Sequence, residues 1–131
     1  FCVLFGSFVF GGIMKVNVLG TDYEIIVKAY DEDEAFARRS IDGYCDHLLK
    51  QIVVCDMPTY KGWEHEPKET AAASQKQTIR HEIVHAFFSE SGLSDSAGSY
   101  ENAWCKNEEM VDWIAWQGEK IYKAWEQANA L

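Results

Sequence analysis

The segment His81-Glu82-Ile83-Val84-His85 constrains this chain more than any other feature. It lies in a run of helix-forming residues that opens at Pro67 or Thr70 and ends just before Gly92. Side chains four positions apart on an α-helix share a face, with about 6 Å of rise between them. The two imidazoles therefore converge on one metal ion. Glu82 lies about 100° round the helix, where it can act as general base on a water bound to that metal.

A catalytic zinc normally has three protein ligands, so the two histidines need a third partner. No histidine follows the motif, which leaves an acid, a cysteine, or the upstream His47 or His65. The strongest candidate is Glu108, at the start of the last predicted helix, because Asp112 shares its face one turn later. Glu108 would bind the metal while Asp112 accepts the second ring N–H of a ligating histidine. Glu109 is the rival ligand, but it does not share a helix face with Asp112 in the way that Glu108 does.

The motif, followed by N-E-x-x-x-D over residues 107–112, resembles the gluzincin group of zinc metallopeptidases. The stretch from Thr78 to Gln117 is similar to small phage and prophage metallopeptidases and, more distantly, to ImmA/IrrE-like proteins. The resemblance implies an α+β fold of the minimal zincin type. In such a fold, a small antiparallel or mixed sheet packs on an active-site helix and a C-terminal helix.

Carried over residue by residue, the resemblance implies that His81, His85 and Glu108 bind Zn²⁺. It further implies that Glu82 is the catalytic base and that Asp112 orients a ligating histidine. The implied activity is hydrolysis of peptide bonds in a peptide or protein substrate, by zinc-activated water. Two other functions stay open at this level. One is a non-catalytic, zinc-stabilised phage regulatory or interaction protein, and the other is a helical domain without metal.

The substrate-binding part of the site is less defined. In the resembling family an extended substrate adds as a strand to the sheet edge beside the active helix, and the predicted strand Lys50–Cys55 is similar in position. Trp63 precedes the active helix and is placed to cover the cleft. Three side chains are candidates for stabilising the oxyanion: Tyr60, His65 and Tyr100.

The region before the motif predicts a small sheet with one short helix. Apolar runs at Lys15–Leu19 and Tyr23–Ala29, around a turn at Gly20-Thr21-Asp22, indicate a β-hairpin. Residues 31–39 are acidic at the front and basic at the end, which favours a short helix. Ile-Val-Val within Lys50–Cys55 is typical of a strand, and an irregular loop follows it.

Two apolar stripes are predicted on the helices. On the motif helix the stripe comprises Ile79, Ile83, Phe87 and Glu90, with Val84 and Phe88 beside it. Beyond a predicted loop at Leu93–Ala103, Asn107 caps a last helix that runs to about Ala128. Its stripe comprises Val111, Ile114, Gly118, Ile121 and Trp125. The tryptophans of this helix and its entry are expected to pack in the core or at its rim, with a substrate groove or a partner surface as the alternative for some of them: Trp104, Trp113, Trp116 and Trp125.

Composition limits the partners and the location. The 131 residues hold 12 basic and 21 acidic side chains, for a net charge of −9. Scattered cations in an acidic chain argue against nucleic-acid binding. The sequence lacks the apolar run of about 20 residues that a membrane span needs. We expect a cytoplasmic protein with one zincin-like domain over residues 14–131. The apolar stretch 1–13 is interpreted as an extension outside the native domain, with a clipped signal segment or a real first strand as the alternatives.

Free thiols are the preferred interpretation of the four cysteines, because their spacing is irregular and no secretion signal is visible. Cys45 and Cys55 flank a predicted hairpin, which leaves one bridge between them possible. Cys105 precedes the last helix and is expected to be packed or free, although it is a further candidate for approaching the metal.

Overall fold

A four-stranded sheet and four helices make up the computed structural model, which describes residues 14–99 and 102–131. The strands are β1 Met14–Val18, β2 Thr21–Lys28, β3 Gly43–Asp46 and β4 Gln51–Cys55. The helices are α1 Glu34–Arg39, α2 Lys68–Glu90, α3 Leu93–Ser96 and α4 Glu108–Gln127. Single-turn 3-10 helices cover Tyr30–Glu32, Met57–Thr59 and Trp104–Lys106. The α+β expectation is confirmed, whereas the predicted extension 1–13 lies outside the described residues.

The predicted hairpin forms, with a tighter turn than expected. β1 pairs antiparallel with β2, and Val18 lies opposite Thr21. The turn is therefore the Leu19-Gly20 pair, and both residues have positive φ, 50° and 91°. That left-handed pair gives the twist that a two-residue hairpin connection needs. The prediction that Thr21 and Asp22 belong to the turn was wrong, since both lie in β2.

The sheet has the order β1-β2-β4-β3, so β4 lies inside it. β4 runs parallel to β2 and antiparallel to β3. The prediction that Lys50–Cys55 is a sheet edge was therefore wrong, and the edges are β1 and β3. The physical reason is visible in the strand itself: Ile52, Val53 and Val54 are all buried, which requires both faces and both edges to be covered.

Helix α2 packs on one face of the sheet and α1 on the other. Ala86, with half-buried Ile79 and Ile83, packs against the buried side chains of Ile52 and Val54. On the opposite face, Phe36 of α1 packs with Val53, Cys55 and Met57. The two faces alternate along β4 because successive side chains of a strand point in opposite directions.

The predicted apolar stripe of α2 was only partly right. Phe87 is 41% exposed, and Ile79 and Ile83 are half-buried. The buried positions are instead Ala71, Gln75, Thr78, Glu82, Ala86 and Phe88. These positions cover a broad arc of the helix surface, because α2 packs against the sheet on one side and against α4 on another. Polar side chains that point toward the sheet or α4 are therefore buried as well.

Two close contacts fix α2 against the sheet. At its C-terminal end, Glu90 accepts hydrogen bonds from Tyr23 Oη at 2.7 Å and Thr21 Oγ1 at 3.1 Å, and it forms an ion pair with Lys50. Nearer the middle of α2, a Cβ at Gly43 would lie 2.6 Å from Thr78 Cγ2. Only glycine at position 43 therefore lets β3 lie this close to α2. The contact is made at Thr78, which lies one turn before Glu82.

Helix α4 packs on α2 through its first half. Val111 and Ala115 are buried, and Val111 packs with Phe88 and Cys105. The predicted stripe does not continue as a buried face, because Trp125 is 53% exposed. Core packing of the tryptophans was also wrong: all four are more than half exposed, namely Trp104, Trp113, Trp116 and Trp125. Trp104 stacks edge-on against Phe88, with ring centroids 5.2 Å apart.

Three smaller predictions are resolved by the described residues. Cys45, Cys55 and Cys105 are free, whereas Cys2 lies outside the described residues. The bridge between Cys45 and Cys55 was the wrong alternative, because Cys45 lies opposite Ile52. The predicted loop after α2 contains the four-residue helix α3. Among the described residues, no helix combines the length and apolar character that crossing a bilayer requires.

Candidate metal centre

Helices α2 and α4 bring the predicted site residues together. His81 and His85 lie one turn apart on α2, and Glu108 is the first residue of α4. Asn107 caps α4 as predicted, since its side chain accepts the backbone N–H of Met110 at 2.9 Å. The cap fixes where α4 starts, and this start places Glu108 against the two histidines.

The three predicted ligand atoms form a nearly equilateral triangle. His81 Nε2 lies 3.0 Å from His85 Nε2 and 3.0 Å from Glu108 Oε2. His85 Nε2 lies 3.3 Å from the same carboxylate oxygen. A tetrahedron with ligand bonds of about 2.0–2.1 Å has edges of about 3.3 Å. The spacing of these atoms therefore fits a zinc-sized cation, and within the described residues the cluster has three members.

Asp112 holds one of the rings. His81 donates its Nδ1–H to Asp112 Oδ1 at 2.7 Å, because a carboxylate can only accept. In the neutral ring this leaves the lone pair on Nε2, the atom that faces Glu108. Burial lowers the pKa of His81, but the hydrogen bond that it donates to Asp112 and the nearby carboxylates outweigh this effect and raise that pKa overall. The contact is the one that orients metal-binding histidines elsewhere.

The second histidine is biased toward its neutral form. Burial lowers the pKa of His85, and this exceeds the opposing effect of Glu108. A neutral imidazole is the state that binds a metal, so this ligand needs no deprotonation near neutral pH.

Glu82 is set apart from the ligands. It is only 6% exposed and lies on the side of α2 that faces the sheet. Burial raises the pKa of Glu82 to about 7, with His81 opposing the rise and Glu108 adding to it. A carboxylate with a pKa near neutrality can both take and return a proton, which is the requirement for a general base.

A cleft of about 700 Å³ opens beside the cluster, between α2, the start of β3 and α4. His81, Glu82 and Asp112 line one end of it. The rest is lined by residues of three elements: Ile41, Asp42 and Gly43; Thr70, Ala73, Ser74, Lys76, Gln77, Thr78 and Arg80; and Trp116. The cleft thus meets the candidate metal centre at His81, whereas His85 and Glu108 are not part of its lining.

Two side chains beside the ligands connect α2 to α4. Arg80 donates its Nε–H to the carbonyl oxygen of Ala115 at 3.0 Å and an Nη2–H to Gln77 Oε1 at 2.8 Å. The amide nitrogen of Gln77 is buried, and no described residue accepts from it. Because arginine only donates, the amide cannot turn over to relieve this.

Several predicted site residues lie elsewhere. Tyr60 and Trp63 pack against the core on the α1 side of the sheet, and neither lines the cleft. The prediction that Trp63 covers the cleft was therefore wrong. His65 is exposed and does not line the cleft either, and Tyr100 lies outside the described residues. No described candidate for the oxyanion-stabilising residue is at the site.

Two rival ligands can also be placed. Glu109 is not part of the cluster, whereas its neighbour Glu108 is. Cys105 is buried, and its thiol donates to the carbonyl oxygen of Leu93, as expected for a packed thiol. Trp116 lines the cleft, in line with the groove alternative for the tryptophans, whereas the cleft-lining residues of α2 before His81 were not predicted. Helical spacing alone offered one signal for them, because Gln77 lies one turn before His81 on the same face.

Comparisons of this chain with family models, with curated proteins and with solved structures found no match. The function of the site has to be inferred from its own chemistry.

Proposed function

We propose that this protein is a zinc-dependent peptidase of the gluzincin type, with a minimal zincin-like fold. The observation that carries the proposal is the triangle formed by His81, His85 and Glu108, next to a buried carboxylate and an open cleft. Structural zinc sites have four protein ligands, whereas catalytic sites have three and keep a position for water. The three ligands supplied by the described residues favour the catalytic arrangement.

The chain's own residues divide the chemistry between them. Bound zinc would lower the pKa of a water molecule and polarise the substrate carbonyl. Glu82 accepts the proton of the attacking water on its carboxylate and then delivers it to the leaving amine nitrogen. Asp112 keeps the proton of His81 on Nδ1, so that Nε2 remains a ligand throughout.

An edge strand beside the cleft supplies the substrate-aligning surface in this proposal. β3 is a sheet edge, and its first residue, Gly43, lines the cleft. A free strand edge presents backbone donors and acceptors that an extended peptide can pair with. β3 thus takes the role that was predicted for Lys50–Cys55.

The test is the substitution Glu82→Gln. It removes the base but leaves the three ligands, so the purified variant should bind one zinc with unchanged affinity and lose peptide cleavage by at least about 100-fold. His81→Ala is the control and should lose zinc binding. Cleavage by Glu82→Gln at the rate of the original protein would overturn the mechanism.

The same experiment addresses the non-catalytic alternative. Zinc bound tightly by the original protein, with no cleavage of a broad peptide mixture, would favour a zinc-stabilised regulatory or interaction protein. A protein that binds no zinc would rule out both functions.

A further inference from the structure

The wall of the cleft formed by Lys76, Gln77 and Arg80, hereafter the α2 wall, presents hydrogen-bond donors with no described acceptors. Lys76 makes no ion pair with any described residue, and neither does Arg80. Arg80 uses two N–H groups on Ala115 and Gln77, which leaves its others available. The groove thus holds two cations without an ion-pair contact among the described residues, in a chain with 21 acidic and 12 basic residues.

Gln77 adds a fixed donor between these cations. Its oxygen is held by Arg80, so its amide nitrogen points away from the guanidinium and lacks an acceptor. Buried donors in folded proteins are almost always paired, and an unpaired one next to a groove indicates a missing ligand oxygen.

The acidic side chains of the cleft are already engaged. Asp42 accepts from Thr78 Oγ1 at 2.9 Å, and Asp112 accepts from His81. Glu82 is the proposed base. Asp42, Glu82 and Asp112 line other parts of the cleft, whereas the α2 wall holds both of its cations and a donor without a described acceptor. An anionic oxygen ligand would therefore bind at this wall.

We propose that the α2 wall binds a carboxylate of the peptide substrate, an inference that rests on the proposed peptidase function and deepens it. Gln77 precedes His81 by one turn, which is about 6 Å along the helix. An extended peptide advances about 3.3 Å per residue, so the carboxylate lies about two residues from the bond that is cleaved. It belongs either to an Asp or Glu side chain or to the C-terminus of a short substrate.

One peptide sequence in four forms separates these sources. The forms carry Glu or Gln two residues from the cleaved bond and end in a free acid or an amide. The zinc-loaded protein should prefer one carboxylate-bearing form by about ten-fold or more in kcat/KM, mainly through KM. Equal rates for all four forms would overturn the inference while leaving the peptidase proposal intact.

Substitutions in the α2 wall should remove that preference. Lys76→Met removes one cation without touching α4, and Gln77→Glu keeps the contact with Arg80 but repels a carboxylate. Both variants should lose most of the preference for the carboxylate-bearing peptide and should still bind as much zinc as the original protein. Lys68→Met is the matched control, because Lys68 is an exposed lysine of the same helix outside the cleft. A preference that persists in both wall variants would contradict the assignment.

Binding gives a readout that does not depend on cleavage. Calorimetry with zinc-loaded Glu82→Gln and the same four peptides should show the same carboxylate preference, lost again with Lys76→Met. If this preference appears while the original protein cleaves no peptide, the α2 wall is a carboxylate site and the peptidase proposal fails. If no form binds better than another, the α2 wall is not such a site.

Discussion

His81 and Asp112 are joined by a 2.7 Å hydrogen bond that links the two ligand-bearing helices and decides which nitrogen of the ring is free. With the donor on Nδ1, the neutral ring presents an unprotonated Nε2, which lies 3.0 Å from Glu108 Oε2. One carboxylate on α4 thus holds the ring, and another on the same helix completes the candidate ligand set. The first predictions follow from this division of roles.

Substituting Asp112→Ala should weaken zinc binding by about 10- to 100-fold, because His81 loses the acceptor that fixes its tautomer and ring orientation. Competition with a zinc chelator of known affinity measures the change. Asp112→Asn should retain part of the affinity, since its amide oxygen can still accept from Nδ1. Full affinity in Asp112→Ala would mean that Asp112 is not needed to orient His81.

The neighbouring pair Glu108 and Glu109 provides a matched test of the third ligand. Glu108→Gln should reduce zinc affinity more strongly than any other change outside the histidines, whereas Glu109→Gln should leave it unchanged. Both substitutions remove one negative charge from the first turn of α4, so their effects on the helix dipole are alike. A larger loss with Glu109→Gln would reverse the assignment.

Gly43 is expected to tolerate no side chain. Gly43→Ala would place a Cβ 2.6 Å from Thr78 Cγ2, and we expect a loss of about 1–3 kcal/mol in the free energy of unfolding. Urea denaturation measures it. Thr78→Ser removes the clashing methyl group but keeps the hydroxyl that bonds Asp42, so the double variant should recover part of the loss.

A second glycine serves as the control for that measurement. A Cβ at Gly118 in α4 would meet nothing within 4 Å, so Gly118→Ala should stabilise the protein by roughly 0.5–1 kcal/mol. Destabilisation by Gly118→Ala similar to that by Gly43→Ala would show that the loss at Gly43 does not come from its contact with Thr78.

The buried base should make the metal-free protein less stable as the pH rises. The pKa of Glu82 is raised from 4.5 to about 7 on folding. The contribution of Glu82 to the free energy of unfolding is therefore fully present below pH 4.5. It falls by up to about 3 kcal/mol as the pH rises through 7. Glu82→Gln does not titrate, so in a chelator its stability relative to the original protein should increase between pH 4.5 and pH 8. A constant difference across this range would contradict the raised pKa.

The sequence was sufficient for the two long helices and for the residues of the candidate cluster. The helix around His81 and His85 follows from residue propensity and spacing, and the cap at Asn107 follows from side-chain chemistry next to the backbone. Glu108 was preferred over Glu109 because of its i+4 relation to Asp112, and the structure places Glu108 in the cluster. These inferences depend on contacts within one turn of helix, which a sequence records directly.

The sheet order and the shape of the cleft were decided by tertiary structure alone. That β4 lies inside the sheet depends on pairing with β2 and β3, which lie on either side of it in space but not in sequence. The cleft likewise needs Gly43, Gln77 and Trp116 from three separate elements to meet. Local propensity carries no record of such meetings, because they are set by how whole faces pack against one another.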